Sequence, residues 1–152
     1  MPLDEKIALL SQRLPGLGAG ALAELRRMEV GGVGPLPYWA LAAECGFLDE
    51  DAAAWMQIVH ILAILTPKGE RHRGDSLHDP ERTLGRLLCD GGDPNWPAGG
   101  SAPRPFVSER RLARLLATSA NQRGEALTRL ARMIAARRDP AKGVNCKEIA
   151  DL

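Results

Sequence analysis

The sequence predicts an all-α protein built as two small helical bundles. Apolar residues recur at three- to four-residue spacing along most of the chain. Strand signals are scarce, with few β-branched runs, no sustained alternation and no hairpin dipeptide between apolar runs. Proline and glycine punctuate the periodic stretches at intervals that suit short helices.

In chain order, Leu3, Ile7, Leu10 and Leu14 define a first helix that Pro15-Gly16 stops. Residues 19–30 carry Leu22, Leu25 and Met28 and end at Gly31-Gly32. Pro37 opens a short helix with Tyr38, Trp39 and Leu41, closed by Gly46. The run "DAAAWMQIVHILAIL", from Asp51 to about Leu65, is apolar on most sides, which predicts a central, buried helix. The acidic run Asp49-Glu50-Asp51 suits its positively polarised start. After the polar, mostly basic "PKGERHRGDSLHD", Asp79-Pro80 is read as the cap and first turn of a helix bearing Leu84, Leu87 and Leu88. Residues 91–107 hold four Gly and four Pro in 17 positions and predict no regular element, a long connection for a compact domain. Ser108 caps "ERRLARLL", where Leu112, Leu115 and Leu116 are expected on the buried side. A further helix runs from about Gln122 to Arg138 with Leu127, Leu130, Ala131 and Ile134 as its core stripe. "NCKEIADL" looks like the start of one more helix. The expected division is a bundle over 1–66, a basic loop over 67–79, and a second bundle over 80–152 interrupted by the 91–107 segment.

The chain has 152 residues, 45% hydrophobic and 26% charged, enough apolar content to bury a core. Its net charge of +1 conceals an asymmetry. Residues 1–66 hold 4 basic and 8 acidic side chains, whereas residues 67–152 hold 16 basic and 11 acidic ones. No Lys or Arg occurs between Met28 and Thr66. Such a chain can grip a polyanion with its basic end and a protein with its acidic end. Of the 20 basic residues 16 are Arg, the side chain suited to forked phosphate contacts. Cys45, Cys89 and Cys146 are odd in number and far apart, which argues against a disulfide framework or a zinc site. No signal peptide is recognised, and the apolar run around Trp55–Leu65 is too short to span a bilayer, so the expectation is a soluble cytoplasmic protein.

No catalytic or metal constellation emerges, and no cofactor is expected. His60, inside the apolar helix, reads as a hydrogen-bonded core histidine. His72 and His78 flank Asp75 and Ser76, but one loop supplies neither a rigid third metal ligand nor a triad assembled from distant segments. A small hydrolase working from that loop is the weakest reading. The arginines carry more. Arg110 and Arg114 are like charges four apart, which costs a few tenths of a kcal/mol without a counter-charge. Arg111 adjoins them, and Arg26-Arg27 repeats the pattern, with Arg27 off the apolar stripe and Arg26 at its edge. Lys68, Arg71, His72 and Arg73 form a loop cluster. Arg129 and Arg132 lie opposite their helix's core stripe, with Glu125 four residues before Arg129. Several arginine clusters without an active site point to a nucleic-acid binder that grips the backbone. Aromatic residues are 4%, too few for base-stacking platforms, and no helix-turn-helix spacing is present. The alternative is a helical adaptor whose arginines pair with an acidic partner protein.

"GALAELRRM", "TLGRLL", "SERRLARLL" and "LTRLARMI" follow one another in this chain, with "ERHRG" before the mid-chain helix. In that order they resemble the small subunit (CasB family) of the type I-E CRISPR surveillance complex, Cascade, over about residues 18–150. The resemblance implies a non-enzymatic, all-helical subunit that packs as two copies beside the repeated backbone subunits and the large subunit. It further implies that basic side chains hold the guide crRNA, the target DNA and the displaced strand. The matching positions here are Arg26, Arg27, Arg71, Arg86, Arg110 and Arg111. The chain departs from that family in a longer Gly/Pro segment at 91–107 and in stopping where a further C-terminal helix is usual.

Overall fold

The computed structural model describes residues 1–69, 76–93, 95–96, 104–138 and 143–152. Its centre is the helix expected to be apolar on most sides and buried. It spans Ala52–Leu65 and buries nine of its side chains, from Trp55 to Leu65. Asp51 caps it, one carboxylate oxygen accepting from the backbone N–H groups of Ala53 and Ala54. Numbered in chain order, this is α4. Before it come α1 (Leu3–Arg13), α2 (Ala19–Arg27) and α3 (Leu36–Cys45); a 3-10 turn at Leu14–Gly16 follows α1. After it come α5 (Leu84–Asp90), α6 (Glu109–Ala117), α7 (Ala120–Ala135) and α8 (Cys146–Ala150). The fold is all-α: among the described residues the β-structure is one isolated parallel bridge between His78 and Val144.

α4 packs against α2 on one side and α7 on another, and also meets α8, while α1 lies against α3 and α8. The two expected helical groups therefore share a continuous core, running from Ile7 and Leu10 through Val59 and Leu62 to Leu127, Ala131 and Ile134. Gln57 of α4 joins α7 directly, its Nε2 donating to the Gly124 carbonyl at 3.2 Å and to Thr128 Oγ1 at 2.9 Å. Phe47 stacks on Trp55 with ring centroids 4.1 Å apart, and Trp55 Nε1 donates to Glu50, which also pairs with the buried Lys6. Gly46 ends α3 in the left-handed region, at φ 76°, where a side chain would be strained.

Two expectations change. The helix after the basic loop starts at Leu84, with Thr83 as its cap (Oγ1 accepting from Arg86 N), and Asp79-Pro80 instead forms a separate turn. The reason is tertiary. Leu77 N donates to Ser11 O, Asp79 N to Val144 O, Val144 N to Leu77 O and Asn145 N to Arg82 O, so segment 77–82 is tied to α1 and to the chain ahead of α8. On α6 only Leu115 is fully buried; Leu112 is half-buried and Leu116 is 63% exposed. α6 meets the rest of the protein chiefly through α7. Leu116 sits about 100° round the helix from Leu115, beyond that narrow contact.

Candidate nucleic-acid interface

α6 places the arginine cluster. Ser108 Oγ accepts from Arg111 N, and Glu109 occupies the first turn, where a negative charge suits the helix dipole. Leu115 anchors the helix to the core. Arg110, Arg111 and Arg114 are all exposed, and no carboxylate among the described residues pairs with any of them. Along α6 the Arg110 and Arg114 Cα atoms are separated by about 6 Å of axial rise and differ by about 40° in direction, so the two charges share one face.

The other expected contacts divide by what their side chains already do. Arg26 is engaged in the fold. Its Nε donates to the Ala63 carbonyl at 2.8 Å and its Nη2 to the Thr66 carbonyl at 2.7 Å, satisfying oxygens at the end of α4. Its neighbour Arg27 is exposed and donates only to Ala23 O, one turn back in its own helix. Arg86 reaches Asp90 at 3.9 Å and shares it with Arg82 at 3.6 Å. Arg129 is paired with Glu125 at 2.5 Å, as the i,i+4 spacing implied. Arg71 and Arg73, with His72, lie outside the described residues. Lys68 and Arg132 are exposed and have no hydrogen-bond or ion-pair partner among the described residues. Both line a cleft of about 600 Å³ between the ends of α4 and α7.

Three further basic residues matter that the sequence patterns did not single out. Arg138, buried to 9% exposure, lines that same cleft. Arg137 lies over the Phe106 ring at 5.3 Å, a cation–π contact that ties the end of α7 to the segment before α6. Arg123 donates to Leu152 O and Thr118 O and so fastens the α6–α7 turn to the last described residue. The Arg137-Arg138 pair was visible as a dipeptide, but its position just past α7 gave no sign of what it would face.

His60, His78, Cys45 and Cys146 have structural surroundings. His60 Nδ1 lies 2.9 Å from Leu25 O inside the core, as read from its helix. His78 Nδ1 accepts from Cys146 N at 3.2 Å. Burial pushes the Cys45 thiol up to about 11 and the Cys146 thiol up to about 12, so neither is a thiolate near neutral pH. No described helix is long and apolar enough to cross a membrane. Compared with protein-family models, with curated proteins and with solved structures, the chain returns no match.

Proposed function

We propose that this chain is a non-catalytic, nucleic-acid-binding subunit of an RNA-guided antiviral complex of the type I-E Cascade kind. In this reading it holds guide RNA, target DNA and displaced strand through arginine–phosphate contacts. The observation that carries it is the α6 face, where three exposed arginines stand without a counter-charge among the described residues. Like charges at four-residue spacing are a standing cost, which a phosphate backbone would remove. Base pairing reads sequence in such complexes, so the protein needs only shape and charge. The acidic half, with Val33 and Leu36 more than 80% exposed, would face neighbouring protein subunits and a second copy of the chain.

The test is charge reversal, Arg110→Glu with Arg114→Glu, measured as binding to duplex and single-stranded DNA across a salt series. The wild type should bind without sequence preference, with a Kd of about 10⁻⁴ to 10⁻⁶ M near physiological salt. The double variant should keep its melting temperature and lose duplex binding, its salt slope falling by roughly 0.9 per contact removed. Unchanged DNA binding in the variant, or wild-type binding that ignores salt, would leave the adaptor with an acidic protein partner as the better account.

A further inference from the structure

The cleft between the ends of α4 and α7 combines two features that have no common structural purpose. Among the described residues that line it, four are basic, Arg26, Lys68, Arg132 and Arg138, and none is acidic. Its apolar wall is formed by Ile64, Leu65, Pro67 and Ala135. Cations near helix C-termini are ordinary, because the last carbonyls carry partial negative charge. Arg26 does that work here, bonded directly to Ala63 O and Thr66 O. Thr66 Oγ1 adds a bond to Leu62 O. Lys68 and Arg132 take no part in those bonds, and neither has an ion pair or hydrogen bond among the described residues.

We infer that this cleft binds a single nucleotide unit, its phosphate held by Lys68 and Arg132 and its base laid against the Ile64–Leu65–Pro67–Ala135 wall. Size and chemistry agree. A volume of about 600 Å³ falls in the range of small-ligand sites, which pair apolar walls with a few placed polar groups. A bare phosphate would leave the apolar wall wet, and an uncharged nucleoside would leave two cations uncompensated. A base inside a duplex cannot reach the wall without leaving its stack, so the ligand is a free nucleotide or an unpaired residue of a strand. The site is distinct from the α6 face and rests on its own lining rather than on the reading of α6.

The experiment is a set of NMR titrations following the methyl groups of Ala135 and Ala136, which line the cleft. The probes are dAMP, adenosine, inorganic phosphate, an oligothymidylate single strand and a short duplex. Saturable shifts are expected with dAMP, weaker ones with adenosine or phosphate alone, and none with duplex. Shifts with dAMP but not with the single strand identify a free nucleotide as ligand; shifts with both admit a strand residue. Lys68→Ala with Arg132→Ala should weaken dAMP about tenfold or more while leaving the melting temperature unchanged, since both side chains are exposed. Arg110→Glu with Arg114→Glu should leave dAMP binding intact. Absence of dAMP shifts, equal affinity for phosphate and dAMP, or an undiminished double-alanine variant each overturns the inference. Loss of DNA binding in the α6 variant alongside any of these would still uphold the α6 reading, so the two fail separately.

Discussion

Replacing Arg26 with Ala separates structural from functional arginines most sharply, because Arg27 beside it is the natural control. In the wild type, Arg26 gives charge-assisted hydrogen bonds to two carbonyls at the end of α4, at 2.8 and 2.7 Å. A hydrogen bond to a charged group contributes roughly 1.5–3 kcal/mol. The cleft admits water to those oxygens after truncation, which recovers about half, and loss of a cation at a helix C-terminus adds back about 0.3–1 kcal/mol. The expected destabilisation is therefore about 2–4 kcal/mol. For a chain of this size each kcal/mol moves Tm by about 2–4 °C, so Tm should fall by about 5–15 °C. Arg27→Ala removes one exposed bond within its own helix and should shift stability by less than about 0.5 kcal/mol. Arg26→Lys should fall between, since one ammonium is a point donor where the guanidinium forks to two oxygens. The assay is urea denaturation and thermal melting followed by circular dichroism, with DNA binding measured per folded molecule. Equal stability of the Arg26→Ala and Arg27→Ala variants, or a larger loss at Arg27, would refute the capping role.

Leu115→Ala should destabilise by roughly 2–5 kcal/mol and abolish DNA binding only through unfolding, whereas Leu116→Ala, at a 63% exposed site, should change stability by less than about 0.5 kcal/mol; comparable losses in chemical denaturation would mean that α6 is rotated from its described position. A thiol reagent at pH 8 should modify Cys89 readily and reach the buried Cys45 and Cys146 only as the protein unfolds, which a time course with and without urea will show. Both buried thiols have folded pKa values above the ordinary 9.0, so in the window from 9 to about 11 the unfolded chain releases protons first and stability falls as pH rises. Melting at pH 8, 9 and 10 should show that decline beginning near 9, and a flat profile would contradict the burial of these groups.

Elements whose causes are local were legible in the sequence. The apolar spacing of Ile7, Leu10 and Leu14, the largely apolar run Trp55–Leu65, the acidic start at Asp49–Asp51 and the cap at Ser108 each depend on residues within a turn or two. Gly46 was equally plain as a helix stop. What escaped was non-local. The start of α5 is decided by backbone bonds from Ser11, Val144 and Asn145, positions remote in sequence from Asp79. Leu116 shares its spacing with Leu112 and Leu115, but a helical wheel gives direction and not the width of the contact made by α7. The helical spacing puts Arg26 at the edge of the apolar stripe and Arg27 off it, but does not show which oxygens Arg26 would reach. Arg26 rotates toward carbonyls 37 and 40 positions away, and Arg27 does not.

That division of the arginines sharpens the functional argument. A count of basic residues treats every guanidinium as available, yet Arg26, Arg82, Arg86, Arg123 and Arg129 already have protein partners. What remains at the expected positions among the described residues is narrower: the α6 face at Arg110, Arg111 and Arg114, the exposed Arg27, and the Lys68–Arg132 pair in the cleft. An arginine with a carboxylate beside it must break that pair to meet a phosphate, so its contribution to binding is the difference of two interactions. An arginine standing without a counter-charge gives up only hydration. If phosphates bind this protein, charge reversal on α6 must therefore cost more affinity than the same reversal at Arg129, even though Arg129 is also an exposed arginine. The comparison removes composition from the question and leaves geometry alone to decide it.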